Sequence, residues 1–122
     1  MNRRNKFVQF SESLELTDPR TIELTEDGAC FLHVDKVSDS VRRLAVAFYD
    51  SGVVQFFHDN DEKGILSESK HKFVDFSNHV PNRQEKSHIH CVRPASADGD
   101  YFVVDLGADR IYIVKFNHKT FL

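Results

Sequence analysis

The sequence predicts an all-β fold built from short antiparallel strands. Runs of about four to eight residues rich in Val, Ile, Phe and Tyr are separated by clusters of Gly, Asp, Ser and Asn. Phe occurs 11 times and Trp is absent, which favours aromatic-rich strands over a helical bundle. No long segment shows the 3.6-residue apolar period that an amphipathic helix requires.

The predicted strands are bounded by residues that form turns, such as Gly52 and Gly64. In chain order, the strands are predicted at 21–25, 30–35, 43–48, 53–58, 71–76, 88–93, 101–105 and 110–116. The charged run DNDEKG at 59–64 is predicted to be a solvated hairpin. Residues 1–19 are predicted to be an N-terminal tail and lead-in.

The predicted strands also follow a repeated order. A strand, a polar loop, a second strand, a turn and a third strand occur in 30–58 and again in 88–116. An offset of about 57 or 58 aligns His33 with His90. Units of this kind predict stacked four-stranded sheets, like the blades of a propeller. The segment 71–76 is then expected to be the outer strand of the first unit.

Residues 20–122 are therefore expected to form one domain of about two such units. The segment 21–25 would be the outer strand of a preceding unit. A chain of 122 residues is long enough for one domain with a modest core.

Composition excludes several functional classes. The net charge of -3 and the absence of a basic patch argue against nucleic-acid binding. No apolar run approaches the length of a membrane span, and we expect a cytoplasmic protein that does not contact membranes. Cys30 and Cys91 lack metal-binding spacing and are expected to be free, buried thiols.

Titratable residues are concentrated in the segment NRQEKSHIHCVR, residues 82–93. His88 and His90 alternate along a predicted inner strand, so their side chains are expected on the same side of it. Histidine titrates near neutral pH and can act as a general base. Arginine binds carboxylate or phosphate in a bidentate manner, which makes Arg83 a candidate anion-binding residue.

The segment RQEKSHIHCVRPASADGDYFVVDLGADRIYIVKF resembles a signature of the seven-bladed β-propeller lactonase family. This family includes bacterial 6-phosphogluconolactonases and fungal carboxy-cis,cis-muconate lactonising enzymes. The upstream run LAVAFYDSGVVQFF, residues 44–57, is similar to a second conserved run of the family. Ser87 stands where the family prefers proline, and Phe48 where it has asparagine. The motif residues that match are Arg83-Gln84, His88-Ile89-His90, Asp98-Gly99 and Asp105 to Arg110.

The resemblance implies antiparallel four-stranded propeller blades and hydrolysis of an anionic sugar lactone without a cofactor or metal. It implies that His88 or His90 is the general base and that Glu85 or Asp105 orients a histidine. Arg83 would bind the anion near the mouth of a central channel. The implied site comprises His88, His90 and Glu85 as catalytic residues, and Arg83, Gln84, Asp105 and Arg110 as substrate-binding residues.

Alternatives to this interpretation remain. A seven-bladed ring needs roughly three times this length, so the chain is expected to be an incomplete propeller with weak or no activity alone. It is then a candidate for a non-catalytic binding or assembly module that self-associates through unpaired edge strands. The same strands also suit a small closed barrel or a sandwich.

The candidate site residues also have structural interpretations. The histidines of the 82–93 segment would hydrogen-bond neighbouring loops. Asp105 and Asp109 would cap their own turn. A zinc site is a third option, with Glu85 or Asp105 as the additional ligand.

Overall fold

In the computed structural model, the described part of the chain comprises the backbone of residues 5–7 together with residues 22–96 and 99–115. These residues form antiparallel β-strands and no helix, as the sequence predicts. The strands are β1 (Asn5–Phe7), β2 (Ile22–Leu24), β3 (Ala29–Lys36), β4 (Val41–Phe48), β5 (Val53–Asn60), β6 (Gly64–Lys72), β7 (Ile89–Pro94), β8 (Tyr101–Asp105) and β9 (Arg110–Val114). β1 lies within the segment predicted to be a tail.

The strands form three separate sheets. β1 pairs with β2, β3 to β6 form a four-stranded sheet in chain order, and β7 to β9 form a three-stranded sheet in chain order. A four-stranded antiparallel meander of this kind is the architecture of a propeller blade, so the predicted fold class is confirmed. The described strands do not close into a barrel, which excludes the closed-barrel alternative.

The outer strand of the four-stranded sheet differs from the prediction. It is β6, whereas residues 73–76 of the predicted strand have no regular structure. β6 is an edge strand with the polar sequence GILSESKHK, so it lacks the apolar run on which the prediction depended. The predicted hairpin at 59–64 is confirmed, because the Asn60 side chain accepts hydrogen bonds from the Glu62 and Lys63 backbone N–H groups at 2.9 and 3.1 Å.

The core lies on both faces of β4 and β5. One face packs against β7, β8 and β9, and the other packs against β2. Burial on both faces explains why β4 and β5 read as nearly continuous apolar runs. The residues between the two larger sheets are Ala45, Ala47, Val54, Phe56, Ile89, Val92, Tyr101, Val103 and Val114. The residues on the β2 side are Leu24, Leu44, Val46, Phe48, Val53 and Phe57.

The strand registers confirm that the unit repeats but change its alignment. The inner strands β3 and β7 each carry a bulge at their second residue, Cys30 and His90 respectively. These two residues are therefore equivalent, with an offset of 60, whereas the hairpins after β4 and β8 align with an offset of 57. The second unit is shorter between its bulge and its hairpin. His33 consequently aligns with Arg93, and its predicted alignment with His90 is wrong.

Candidate functional site

The irregular segment 73–88 connects the two larger sheets and contacts two hairpin tips. The first tip, residues 49–52, joins β4 to β5, and the second, residues 106–109, joins β8 to β9. The Phe73 N–H donates to the Gly52 carbonyl, and the Ser77 N–H donates to the Gly107 carbonyl, both at 2.9 Å. The loop that enters the inner strand and the two hairpin tips thus meet at one end of the sheets.

Two glycines permit this close approach. A Cβ atom on Gly107 would lie 1.7 Å from the Lys86 carbonyl oxygen, far inside van der Waals contact. A Cβ atom on Gly52 would lie 3.0 Å from the Ser87 carbonyl oxygen, and Gly52 also has a φ of 67°. Both tips therefore need glycine where the entering loop crosses them.

His88 is buried, with 4% exposure, and both of its ring nitrogens face acceptors. Nδ1 lies 2.9 Å from the Tyr49 carbonyl oxygen, and Nε2 lies 2.9 Å from Glu85 Oε1. Its ring also stacks on the Tyr49 ring, with centroids 4.2 Å apart. Both contacts are hydrogen bonds at once only when the ring carries a proton on each nitrogen. In this arrangement His88 has no free nitrogen to accept a proton.

Glu85 and Asp105 contact His88 in different ways. The Glu85 carboxylate accepts a hydrogen bond from the His88 ring. The pKa of this carboxyl group is lowered mainly by a hydrogen bond from its own backbone N–H and, to a smaller extent, by the bond from His88. Asp105 is 1% exposed and instead accepts from the His88 backbone N–H at 2.9 Å and from the Ala108 N–H at 3.1 Å. These bonds match the turn-capping interpretation of Asp105 and do not favour its contact with a substrate.

Gln84 and Arg83 are adjacent in sequence but differ in their contacts. The Gln84 side chain is buried and accepts from the Val80 N–H, while its amide donates to the Leu106 carbonyl and to Asp109. Its hydrogen-bonding capacity is used inside the protein, which does not favour a substrate-binding role. Arg83 is exposed, and among the described residues its guanidinium has no hydrogen-bond or ion-pair partner.

His90 is exposed at the bulge of β7, and its ring meets the Tyr49 ring edge-on with centroids 6.1 Å apart. It borders an open cleft of about 330 Å³. The cleft is lined by His90, Val104, Asp105, Leu106, Asp109, Arg110 and Ile111. A bulge commonly redirects a side chain next to a functional site, and here it leaves the His90 imidazole accessible.

The cationic group of the cleft is Arg110. Its guanidinium lies 2.9 Å from Asp75, and the two side chains are 58% and 47% exposed. An ion pair this exposed contributes little to stability, so Arg110 can exchange its partner for an anionic ligand at small cost. Asp109, at the same hairpin, accepts from His79 at 2.9 Å, and this hydrogen bond lowers the pKa of its carboxyl group.

The seven predicted site residues thus fall into three groups. The cleft brings together His90, Asp105 and Arg110, whereas Glu85 and His88 do not line it; they pair with each other, and His88 stacks on Tyr49. Arg83 and Gln84 are on the connecting segment and do not line the cleft, so the expected grouping of Arg83 with His90 and Asp105 is not observed.

Sequence reasoning did not select Tyr49, although its stacking and its carbonyl hold His88. The run that resembles the family includes Tyr49 and offered a reason to select it. Within 22–96 and 99–115, no group of three or more His, Cys, Asp or Glu side chains is arranged to hold a metal ion. The described residues also include no helix long and apolar enough to cross a membrane.

Cys30 and Cys91 are both free, as predicted, but Cys30 is exposed and Cys91 is half-buried, so their predicted burial is wrong. β3 is an edge strand, and its first two residues, Ala29 and Cys30, are exposed. The Cys30 sulfur nevertheless lies 3.4 Å from the Ile89 carbonyl and 3.6 Å from the His90 carbonyl. The resulting desolvation raises the pKa of the thiol even though the residue as a whole is exposed.

We expect Cys30 to react with a thiol reagent in the folded chain faster than Cys91 does. Because the pKa of Cys30 is raised, its rate should be below that of free cysteine near pH 7.5 and should still increase with pH above the free-cysteine pKa. Labelling of Cys30→Ser and Cys91→Ser variants, followed by mass spectrometry, measures each thiol separately. Equal slow labelling of both thiols would contradict the exposed position of Cys30.

Comparison with known proteins agrees with this geometry. The sequence model of the family described as "Lactonase, 7-bladed beta-propeller" matches residues 11–122. The chain belongs to the seven-bladed β-propeller lactonase family. The β3 to β6 sheet is then one complete blade of this lactonase fold, and β7 to β9 are three strands of another.

Relatives of this lactonase-family chain occur in Staphylococcus aureus. Uncharacterized proteins of strains USA300, NCTC 8325 and COL are each 33% identical to it over 90 residues. The alignment covers 70% of this chain and 25% of each relative. The matched region thus spans about a quarter of the length of these relatives.

Proposed function

We propose that the chain carries part of a site that hydrolyses an anionic sugar-acid lactone, with 6-phosphogluconolactone as the first substrate to test. The observation that carries this proposal is the shared cleft of His90 and Arg110 in a chain of the lactonase family. An accessible imidazole and a weakly paired guanidinium suit the two needs of ester hydrolysis, a base for water and a cation for negative charge.

His90 is the better candidate for the general base, because both ring nitrogens of His88 are already engaged. His90 would take a proton from water as the oxygen of that water attacks the lactone carbonyl. The ring C–O bond then breaks, and the departing oxygen recovers the proton from His90. The product is an open-chain hydroxy acid, and this reaction transfers no electrons and needs no redox cofactor.

The other predicted residues would act on binding and position. Arg110 would face the negative charge of the substrate, and Arg83 would bind its phosphate or carboxylate from the connecting segment. Glu85 and His88 would act as positioning residues, since they hold Tyr49 beside His90. A channel site draws on several blades, so we expect only weak hydrolysis by the isolated chain.

The test is hydrolysis of 6-phosphogluconolactone at high protein concentration, compared with spontaneous hydrolysis. We expect a small excess rate, which His90→Ala and Arg83→Ala each reduce by about tenfold or more, or to the spontaneous level. His71→Ala is the matched control, because His71 is also an exposed histidine but lies on a different strand, β6. An excess rate that survives both His90→Ala and Arg83→Ala would remove these residues from the mechanism. Robust turnover by a monomer would contradict the expected weakness.

The second candidate function is a non-catalytic assembly module. The observation that favours it is an exposed apolar sheet face on β8 and β9, where Phe102, Ile111 and Ile113 are 41%, 67% and 57% exposed. A chain that shows no excess hydrolysis but associates with copies of itself would support this function instead.

A further inference from the structure

The Asp75 carboxylate pairs with Arg110, the cationic residue of the cleft. Asp75 Oδ2 lies 2.9 Å from Arg110 Nη1 and accepts a hydrogen bond from the Tyr112 hydroxyl at 3.0 Å. Arg110 and Tyr112 alternate along β9, so their side chains lie on the same face of the strand. That face is turned toward the β3–β6 sheet, because Tyr112 packs against the core between the two larger sheets. The ion pair therefore lies on the side of β9 that the described chain itself covers.

The position of Asp75 is fixed by the residues two before and two after it. The Phe73 ring stacks on the Tyr112 ring, with centroids 4.3 Å apart. The Ser77 N–H donates to the Gly107 carbonyl at 2.9 Å. The backbone thus holds the Asp75 carboxylate beside the guanidinium. A carboxylate tethered in this way competes with a dissolved anion at a high effective concentration.

The other two aspartates of the cleft are engaged elsewhere. Asp105 accepts from the His88 backbone N–H at 2.9 Å, and Asp109 accepts from the His79 ring at 2.9 Å. Within the described residues, the ion pair of the cleft guanidinium is the one with Asp75. Asp75 is therefore the carboxylate that an anionic ligand of the cleft must displace.

Hydrolysis of a lactone changes the charge that faces Arg110. In the proposed function, the lactone carbonyl is stabilised by the guanidinium, and ring opening converts it into a carboxylate with release of one proton. A carboxylate forms a stronger hydrogen bond with a guanidinium than an uncharged carbonyl does. The product would therefore be retained at Arg110, and slow product release limits turnover in many enzymes.

We propose that Asp75 is a specificity-determining residue that weakens binding of the product carboxylate by competing with it for Arg110. The inference rests on the proposed function, because that reaction forms the carboxylate. Asp75 opposes the product in two ways, since it occupies the guanidinium and, once displaced, leaves a negative charge beside the product. An uncharged lactone carbonyl meets no such repulsion. The Tyr112 hydroxyl continues to donate to the displaced Asp75 carboxylate, so the exchange does not leave this carboxylate without a donor.

The test compares two ligands that differ at the reacting carbon, 6-phosphogluconate and glucose 6-phosphate. The first carries the product carboxylate, and the second carries the same phosphate without a carboxylate. Titration of the isotope-labelled 122-residue chain at constant ionic strength, followed by NMR, gives both dissociation constants without turnover. We expect Asp75→Asn to tighten the binding of 6-phosphogluconate by about three- to fivefold and that of glucose 6-phosphate by less than about twofold. Asparagine keeps an oxygen for the Tyr112 hydroxyl, so the fold should be intact.

Two further variants make the result specific. Asp39→Asn is the matched control, because Asp39 pairs with Lys36 in the β3–β4 hairpin at the other end of the sheet. It removes the same charge and should change neither constant. In an Arg110→Gln background, Asp75→Asn should give no gain, because the guanidinium for which the two carboxylates compete is absent.

Several results would overturn the proposal. These are an equal gain for both ligands, an equal gain in Asp39→Asn, or a gain that persists in Arg110→Gln. Failure of both the unmodified chain and Asp75→Asn to bind 6-phosphogluconate below about 20 mM would overturn it as well. Hydrolysis is measured separately. A selective gain in a chain without excess hydrolysis would refute the proposed function while leaving the competition for Arg110 established.

Discussion

Gly107→Ala is expected to lower the free energy of unfolding by about 3–5 kcal/mol. The new Cβ atom would lie 1.7 Å from the Lys86 carbonyl oxygen and 3.0 Å from the His88 backbone nitrogen. Both atoms belong to a backbone that is hydrogen-bonded to the same hairpin, since the Leu106 N–H donates to the His88 carbonyl at 2.9 Å. The entering loop must therefore move away from the hairpin, and these bonds are lost. Urea denaturation, followed by circular dichroism, measures the change.

Gly64→Ala is the control for this experiment. Gly64 has a φ of 80°, but a Cβ atom there would meet nothing within 4 Å. Its replacement should therefore cost only the strain of a left-handed backbone, about 1–2 kcal/mol. Similar losses of stability in the two variants would show that the close approach of the Lys86 carbonyl to Gly107 does not determine the cost of Gly107→Ala.

The parts of the fold that depend on apolar runs were predictable from the sequence. β4, β5 and β8 have strongly apolar sequences because one or both of their faces are buried, and each lies close to its predicted range. β6 was misplaced because an edge strand of polar residues carries little periodic information. The alignment of the repeats failed for a related reason, since the bulges at Cys30 and His90 leave no trace in the apolar pattern.

The candidate site was predictable only in part. Turn residues between the short predicted strands were sufficient to locate the entering loop and the two hairpins in the chain. The sequence could not distinguish His88 from His90, because the bulge and the burial of one ring decide which imidazole is accessible. Tyr49 lies in the run that resembles the family, but the sequence did not indicate its contact with His88, since that contact joins the tip of the β4–β5 hairpin to the residue before β7. Contacts between sheets depend on packing, which local patterns do not record.

Asp105→Ala is expected to cost about 3 kcal/mol, because it removes a buried acceptor on which the site depends. Asp105 Oδ1 accepts from the His88 and Ala108 N–H groups, which lie in buried backbone. The Tyr112 hydroxyl also donates to Asp105 Oδ2, at 3.4 Å. Desolvation and Asp75 raise the pKa of Tyr112 to about 12, so this hydroxyl remains a protonated donor and retains its 3.0 Å bond to Asp75. The loss should therefore come mainly from the two backbone donors.

Two comparisons identify the origin of that loss. Asp105→Asn keeps a neutral oxygen that can accept both backbone bonds, so it should cost about half as much as Asp105→Ala. Asp39→Ala removes a fully exposed carboxylate paired with Lys36, and it should change stability by less than about 0.5 kcal/mol. Thermal and urea unfolding of the three variants measure this order. If Asp105→Ala were as mild as Asp39→Ala, the His88 backbone would be held by the glycine contact and the Tyr49 stack without the carboxylate.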